Sequence, residues 1–372
     1  MKCKFLEHGM AIGYDHVVKP CCEWTQDPEW NQQNHISQVD LETWHQSPQV
    51  IKIRDQLESG HWPTACQLCA QVEQNGRQDS MRGSGESAYA DYSAQDITLE
   101  IRPGSVCNFA CQTCWPAASS RVAQYHHQAG LIDIKNINSD SITDFEFLQS
   151  IAHRIRNVVL LGGEPFYDPN CRKFLDWAEQ NLQASITMFT NGSHVDWAWV
   201  DAYRGRVTMV FSIDAVGSAA EYVRYGTDWP VVLENYQLAQ QHPNVELRVN
   251  ITMSVYNYHL IPDVINLLIP QWPRVVSFGQ PRQSHLTEVA IPTANRPEII
   301  QKLQGAVDRL SAAQIELGQK HNAVNAVRGV IANLEKSNFD PVQFIKLQQF
   351  VSKMDQVKRI NIANSANPVN FA

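Results

Sequence analysis

The chain has 372 residues, with 30 Lys and Arg against 38 Asp and Glu, for a formal net charge of −8. That balance excludes broad electrostatic attraction to nucleic acid, and no run of 18 apolar residues is present to cross a membrane as a helix. With 44% hydrophobic and 18% charged residues, it has the composition of a globular protein with a sizeable core, long enough for one large domain and a smaller one.

The opening segment, "MKCKFLEHGMAIGYDHVVKPCCEW", lacks the apolar stretch and small-residue cleavage site of a secretion signal. We therefore expect mature protein in the cytoplasm. Nine cysteines, odd in number and tightly spaced, point to metal or redox chemistry in a reducing compartment rather than to disulfides. Residues 1–82 hold Cys3, Cys21, Cys22, Cys66 and Cys69 among several tryptophans, with little periodicity. This composition predicts a small Cys-rich metal-binding module. The small polar stretch "GSGESAYADYSAQ" (83–95) reads as a linker after it.

From residue 96 onward, six β-rich runs alternate with helical stretches. They are "DITLEIRPG" (96–104), "NVVLLGGEPF" (157–166), "SITMFTNGS" (185–193), "VTMVFSIDAVG" (207–217), "VELRVNITMS" (245–254) and "RVVSFGQPRQ" (274–283). Each is rich in Val, Ile, Thr or Phe and ends in Gly, Asn, Pro or Ser, as buried parallel strands do. Between them, "CRKFLDWAEQNL" (171–182) spaces Phe174, Leu175, Ala178 and Leu182 along one helix face. Within it Cys171 reads as a packed thiol. Six strand–helix units over 96–290 predict an α/β fold, a partial (β/α)6 TIM-like barrel. Chemistry in such barrels gathers at the carboxyl ends of the strands. Residues 291–372 predict a helical extension, with amphipathic patterns at 296–319 and 340–357 and a loosely ordered tail, "NIANSANPVNFA".

The first run leads into "SVCNFACQTCWP", where Cys107, Cys111 and Cys114 stand at C-x3-C-x2-C. Three thiolates are one too few for a closed structural zinc site unless a distant side chain completes it. On a four-iron cube they leave one iron open. Together with "GGEP" at the end of the next strand, this loop resembles the radical S-adenosylmethionine (SAM) superfamily over about residues 96–283. The resemblance implies a [4Fe–4S] cluster on the three cysteines and SAM chelated to the open iron. It also implies reductive cleavage of SAM to methionine and a 5′-deoxyadenosyl radical, which takes a hydrogen atom from the substrate. The cofactors carry that chemistry, so no side chain is assigned a catalytic role. Family loops carry an aromatic residue just before the third cysteine. Thr113 stands there in this chain, with Trp115 offered instead toward the adenine.

The same resemblance implies SAM contacts at Gly162, Gly163, Glu164 and Pro165, with Glu164 and the Gly163 backbone taking the amino group. It carries Ser212 and Arg224 over from "FSIDAVGSAAEYVRYG" as partners of the SAM ribose and carboxylate; an Arg fork suits a carboxylate. Asp214 belongs to that segment, with helix capping as its other reading. Asn250, Thr190 and Asn191 are rim candidates for the nucleoside or substrate pocket, and Asn191–Gly192 reads equally as a turn.

The front cysteines resemble the SPASM or twitch auxiliary-cluster module of radical SAM enzymes. An early Cys, a Gly-containing hairpin, a second Cys, a Trp and then "CQLC" follow in its order, although that module usually follows the barrel. The implied ligands are Cys3, Cys21, Cys66 and Cys69, holding an auxiliary [4Fe–4S] cluster or, alternatively, zinc. Cys22 competes with Cys21. The resemblance implies a peptide or protein substrate, with a small molecule or carbohydrate as the alternative. A reducing donor such as flavodoxin or ferredoxin is implied as well. Neither nucleic acid nor membrane is expected as a partner.

Overall fold

The computed structural model describes residues 1–25, 27–76, 80–134 and 141–358. Its strands are β1 (Gly9–Ile12), β2 (Val18–Lys19), β3 (Ile97–Ile101), β4 (Ala110–Cys111), β5 (Ile155–Leu160), β6 (Ser185–Thr190), β7 (Val207–Ser212), β8 (Arg224–Tyr225), β9 (Val245–Thr252) and β10 (Val275–Gly279). Eight form a mostly parallel sheet in the order β10-β9-β7-β6-β5-β3-β1-β2. From β3 to β10 the strands neighbour one another in chain order. This one-way winding is that of a partial (β/α)6 fold, whereas a doubly wound sheet reverses at a switch point. All six predicted runs are strands.

The chain divides into two compact units. The first comprises Met1–Ser105, Asn138–Met188 and Ala198–Val207. Here β3 alternates, burying Ile97, Leu99 and Ile101, and pairs in parallel with β5. The helix Pro169–Asn181 starts where sequence chemistry says it should. Pro169 occupies its first position, and the Asp168 carboxylate accepts from the N–H groups of Asn170 and Cys171. Phe174, Leu175 and Ala178 are fully buried on its inner face, with Cys171 beside them.

Two expectations about this unit need correction. The front region is not set apart from the sheet, because β1 pairs in parallel with β3, Gly9 opposite Thr98 and Ile12 opposite Ile101. Antiparallel β2 then extends the edge. A four-residue strand buried throughout leaves no alternation for a sequence reading to detect. Residues 83–88 belong to a helix, Met81–Ala88, capped by the Ser80 hydroxyl on Gly83 N–H. Gly85 is a packing residue: a Cβ there would lie 3.1 Å from the Phe5 ring.

The second unit comprises Val106–Ile137, Phe189–Trp197 and Thr208–Ala372. Strand β9 runs parallel to β10, Val249 opposite Val276. Behind them the extension forms three helices, Arg296–Ala312, Leu317–Lys336 and Pro341–Lys358. The predicted stretch at 296–319 is interrupted because Ala313 turns extended and Glu316 caps a new helix through the N–H groups of Gly318 and Gln319. The tail from 361 lies outside the described residues. Among the described residues no helix is long and apolar enough to cross a membrane.

Candidate functional site

The three cysteines of the loop belong to the second unit. Phe109 N–H donates to Cys107 Sγ at 3.4 Å, and Asn191 Nδ2 lies 3.8 Å from the same sulfur. Asn191 also donates to Asn108 Oδ1 at 2.9 Å, while its own Oδ1 accepts from Ser193 N–H. Asn191 is thus both turn residue and neighbour of a cysteine. Thr190 serves the same turn, its hydroxyl accepting from Gly192 N–H. Asn108, which the sequence reading passed over, ties the two loops together through Ser193 Oγ at 2.8 Å.

Cys111 sits on β4, which pairs antiparallel with β8, placing Arg224 directly opposite it. Arg224 Nη1 donates to Asp214 Oδ2 at 2.8 Å, and Asp214 Oδ1 accepts from Thr252 N–H at 2.7 Å. Asp214 is therefore not a helix cap: Val216 holds that position. It holds Arg224 instead. Burial opposes the Arg224 charge, but Cys111 and Asp214 beside it raise its pKa above the ordinary value. Its Nε is buried without a hydrogen-bond partner.

Burial pushes the Cys111 thiol up, against the pull of Arg224 and Lys358. It pushes Cys114 to about 12, aided by the charges of Cys111 and Cys107. The three thiols thus feel one another. Trp115 follows them with its ring 58% exposed. Ser212 is half-buried at the end of β7. Asn250 on β9 accepts from Ser277 Oγ at 3.0 Å, and its backbone carbonyl accepts from Ile213 N–H.

The remaining candidates belong to the first unit. Gly162 has φ of +127°, and a Cβ there would lie 2.3 Å from the Gly104 carbonyl oxygen. Gly163 N–H donates to that same oxygen. The two glycines thus let the ends of β3 and β5 close on each other. Glu164 is 1% exposed, its carbonyl accepting from Tyr167 and Asp168 N–H, and Pro165 follows it, also buried.

At the front, Cys3 neighbours Cys21, Cys66 and Cys69, and Cys66 neighbours Cys21 and Cys69. Burial raises Cys21, and charges on Cys22, Cys3 and Cys66 raise it further. Cys66, pushed by burial to about 12, feels Cys3 and Cys69. Nearby backbone groups oppose these upward shifts: those of Phe5 and Leu6 for Cys3, of Glu23 for Cys21, and of Arg82 and Met81 for Cys69. Cys22 has other company. Burial takes it to about 12, and Glu100 adds to this by charge and hydrogen bond.

Among the described residues no three His, Cys, Asp or Glu side chains converge on a single-ion position. A cluster gives each thiolate its own iron, so its ligands need not converge on one point. Thiols gathered in one loop, N–H groups aimed at sulfur, and a buried guanidinium N–H lacking an acceptor suit a cluster with an anionic ligand.

No family model matches the sequence, and no curated relative is found. Among solved structures, the chain is similar to native anSMEcpe with bound AdoMet (that is, SAM) at 18% identity, covering 58% of this chain and 61% of that one, with a TM-score of 0.41. It is similar to Streptococcus suis SuiB bound to S-adenosylmethionine at 14% identity, covering 76% and 64%, with a TM-score of 0.37. TYW1 with a lysine-pyruvate adduct bound is similar at 13% identity, covering 70% and 89%, with a TM-score of 0.34. The chain thus spans less than two thirds of the length of anSMEcpe and SuiB.

Proposed function

We propose that this chain is a radical SAM enzyme that modifies a peptide or protein side chain. One observation carries the reading: a C-x3-C-x2-C loop after the first barrel strand whose middle cysteine stands opposite an arginine with a buried, spare N–H. Cys107, Cys111 and Cys114 would hold a [4Fe–4S] cluster. Bound there with SAM, it would supply the electron that breaks a carbon–sulfur bond and so starts hydrogen abstraction.

The chain's own residues do the rest. Asp214 fixes the Arg224 fork from behind, leaving Nε for an anion such as the SAM carboxylate. Phe109 N–H and Asn191 stabilise negative charge on Cys107. Gly162, Gly163, Glu164 and Pro165 are assigned to the methionine end of SAM, and Ser212, Thr190 and Asn250 to its nucleoside. Cys3, Cys21, Cys66 and Cys69 are assigned to an auxiliary [4Fe–4S] cluster, with zinc as the alternative. The resemblance of that front module to the SPASM or twitch region supports a peptide substrate, and a flavodoxin or ferredoxin would supply electrons.

Anaerobic reconstitution followed by SAM and a strong reductant tests the reading. We expect 5′-deoxyadenosine, lost when Cys107, Cys111 and Cys114 become Ala and retained in part when Cys66 and Cys69 do. No product from cluster-loaded protein would make the chain an electron carrier instead. Co-expression with candidate peptides, read by mass spectrometry, tests the substrate class against a small molecule.

A further inference from the structure

Lys358 closes the helix Pro341–Lys358 and is 3% exposed. Its ammonium donates to the Ala110 carbonyl at 2.9 Å and to Gln112 Oε1 at 3.0 Å, the residues on either side of Cys111. The Tyr225 ring, next to Arg224 on β8, lies 5.2 Å from it. The Tyr225 hydroxyl donates to the Lys358 carbonyl at 2.7 Å. One turn earlier, Asp355 accepts from the Tyr222 hydroxyl. The end of this helix is therefore bonded to both strands that frame Cys111.

Burying an ammonium is costly unless something there uses it. The apolar packing of the helix, through Leu347, Val351 and Met354, does not. The loop does: the ammonium bonds the Ala110 carbonyl and Gln112 Oε1, and Cys111 and Cys114, once ionised as cluster ligands, would face it along with Asp355.

We propose that Lys358 is a positioning residue for the cysteine loop. It clamps the backbone around Cys111 and sets an ammonium beside it, whose positive charge would ease one-electron reduction of a cluster held there. The second half rests on the cluster reading above; the clamp does not.

Two measurements test it. In cluster-free protein, Lys358→Met should speed amide hydrogen exchange across residues 107–114 by about tenfold or more. Lys358→Arg should restore most of the protection. In reconstituted protein, a redox titration followed by electron paramagnetic resonance should find the midpoint potential more negative in Lys358→Met and in Lys358→Gln. It should stay near wild type in Lys358→Arg, because a nearby cation favours the added electron. Lys358→Gln keeps an N–H donor without the charge and carries both comparisons if the Met variant does not fold. Unchanged exchange overturns the clamp, and equal potentials across the series overturn the role of the charge. If wild-type protein takes up no iron, the cluster reading and the charge role fail together, while exchange still decides the clamp.

Discussion

Replacing Arg224 with Met isolates the pair on which the candidate site rests. Arg224 is 14% and Asp214 1% exposed at the side chain, so the Asp214 carboxylate cannot turn to water if its partner is removed. The substitution leaves the Asp214 carboxylate buried, with Thr252 N–H still on Oδ1 but nothing on Oδ2. Breaking a buried pair from one side costs about 3–5 kcal/mol. The retained backbone bond argues for the lower end, about 3 kcal/mol. At roughly 2–4 °C per kcal/mol for a domain of this size, the melting temperature falls by about 6–12 °C. Asp214→Asn should lose a similar amount. The double variant should cost little more than the worse single one, a coupling of about 2–3 kcal/mol. Thermal and urea unfolding of cluster-free, reduced protein gives all four values. Losses that simply add, or an Arg224→Met cost below about 1 kcal/mol, would refute the claim that Asp214 exists to hold Arg224.

Three further outcomes are expected. Gly162→Ala places a Cβ 2.3 Å from a carbonyl oxygen at a φ of +127°, and urea unfolding should find a loss of at least about 2 kcal/mol. Gly76→Ala, with positive φ but open space around it, should lose only about 1–2 kcal/mol, so equal losses would count against the close approach. His45 Nε2 donates to the Gly9 carbonyl while Nδ1 is buried without a partner, and burial pulls its pKa down to about 4. The unfolded chain takes up that proton near pH 6.5. Stability should therefore drop as pH falls from about 6.5 to about 4, by up to about 1.4 kcal/mol per pH unit for this group. A His45→Gln protein should lose less over that window, and parallel profiles would exclude His45 as the source. Finally, metal analysis should find about eight irons per chain if both cysteine groups hold cubes, and about four irons with one zinc if the front site is structural. Cys21→Ala should lower the front-site metal and Cys22→Ala should not.

The strands β3, β5, β6, β7, β9 and β10 were legible because each is a run rich in Val, Ile, Thr or Phe stopped by Gly, Asn, Pro or Ser, a pattern held within about ten residues of chain. The strands β1 and β2 were not, because "GMAI" and "VK" owe their conformation to pairing with strand neighbours. The helix at Met81–Ala88 was hidden for a related reason. Its glycines lower helix propensity, and what Gly85 gives in return is room for Phe5, a residue about 80 positions away.

The site divides along the same line. Thiols three and four residues apart announce themselves, because their spacing is the chemistry. The groups that set their charge do not. Arg224 meets Cys111 only through the pairing of two-residue strands, and Lys358 reaches Ala110 across 248 positions. Reading along the chain, Lys358 is an unremarked cation near a helix end, and Arg224, named there as a SAM partner, shows no link to Cys111. A loop that gathers three half-buried thiols must draw its countercharge from wherever the fold brings cations close, since its own residues, Ser105 to Pro116, contain no Lys or Arg. Any loop of this composition therefore has to be completed from distant sequence, and the cations that complete it can be found only once the strands are paired.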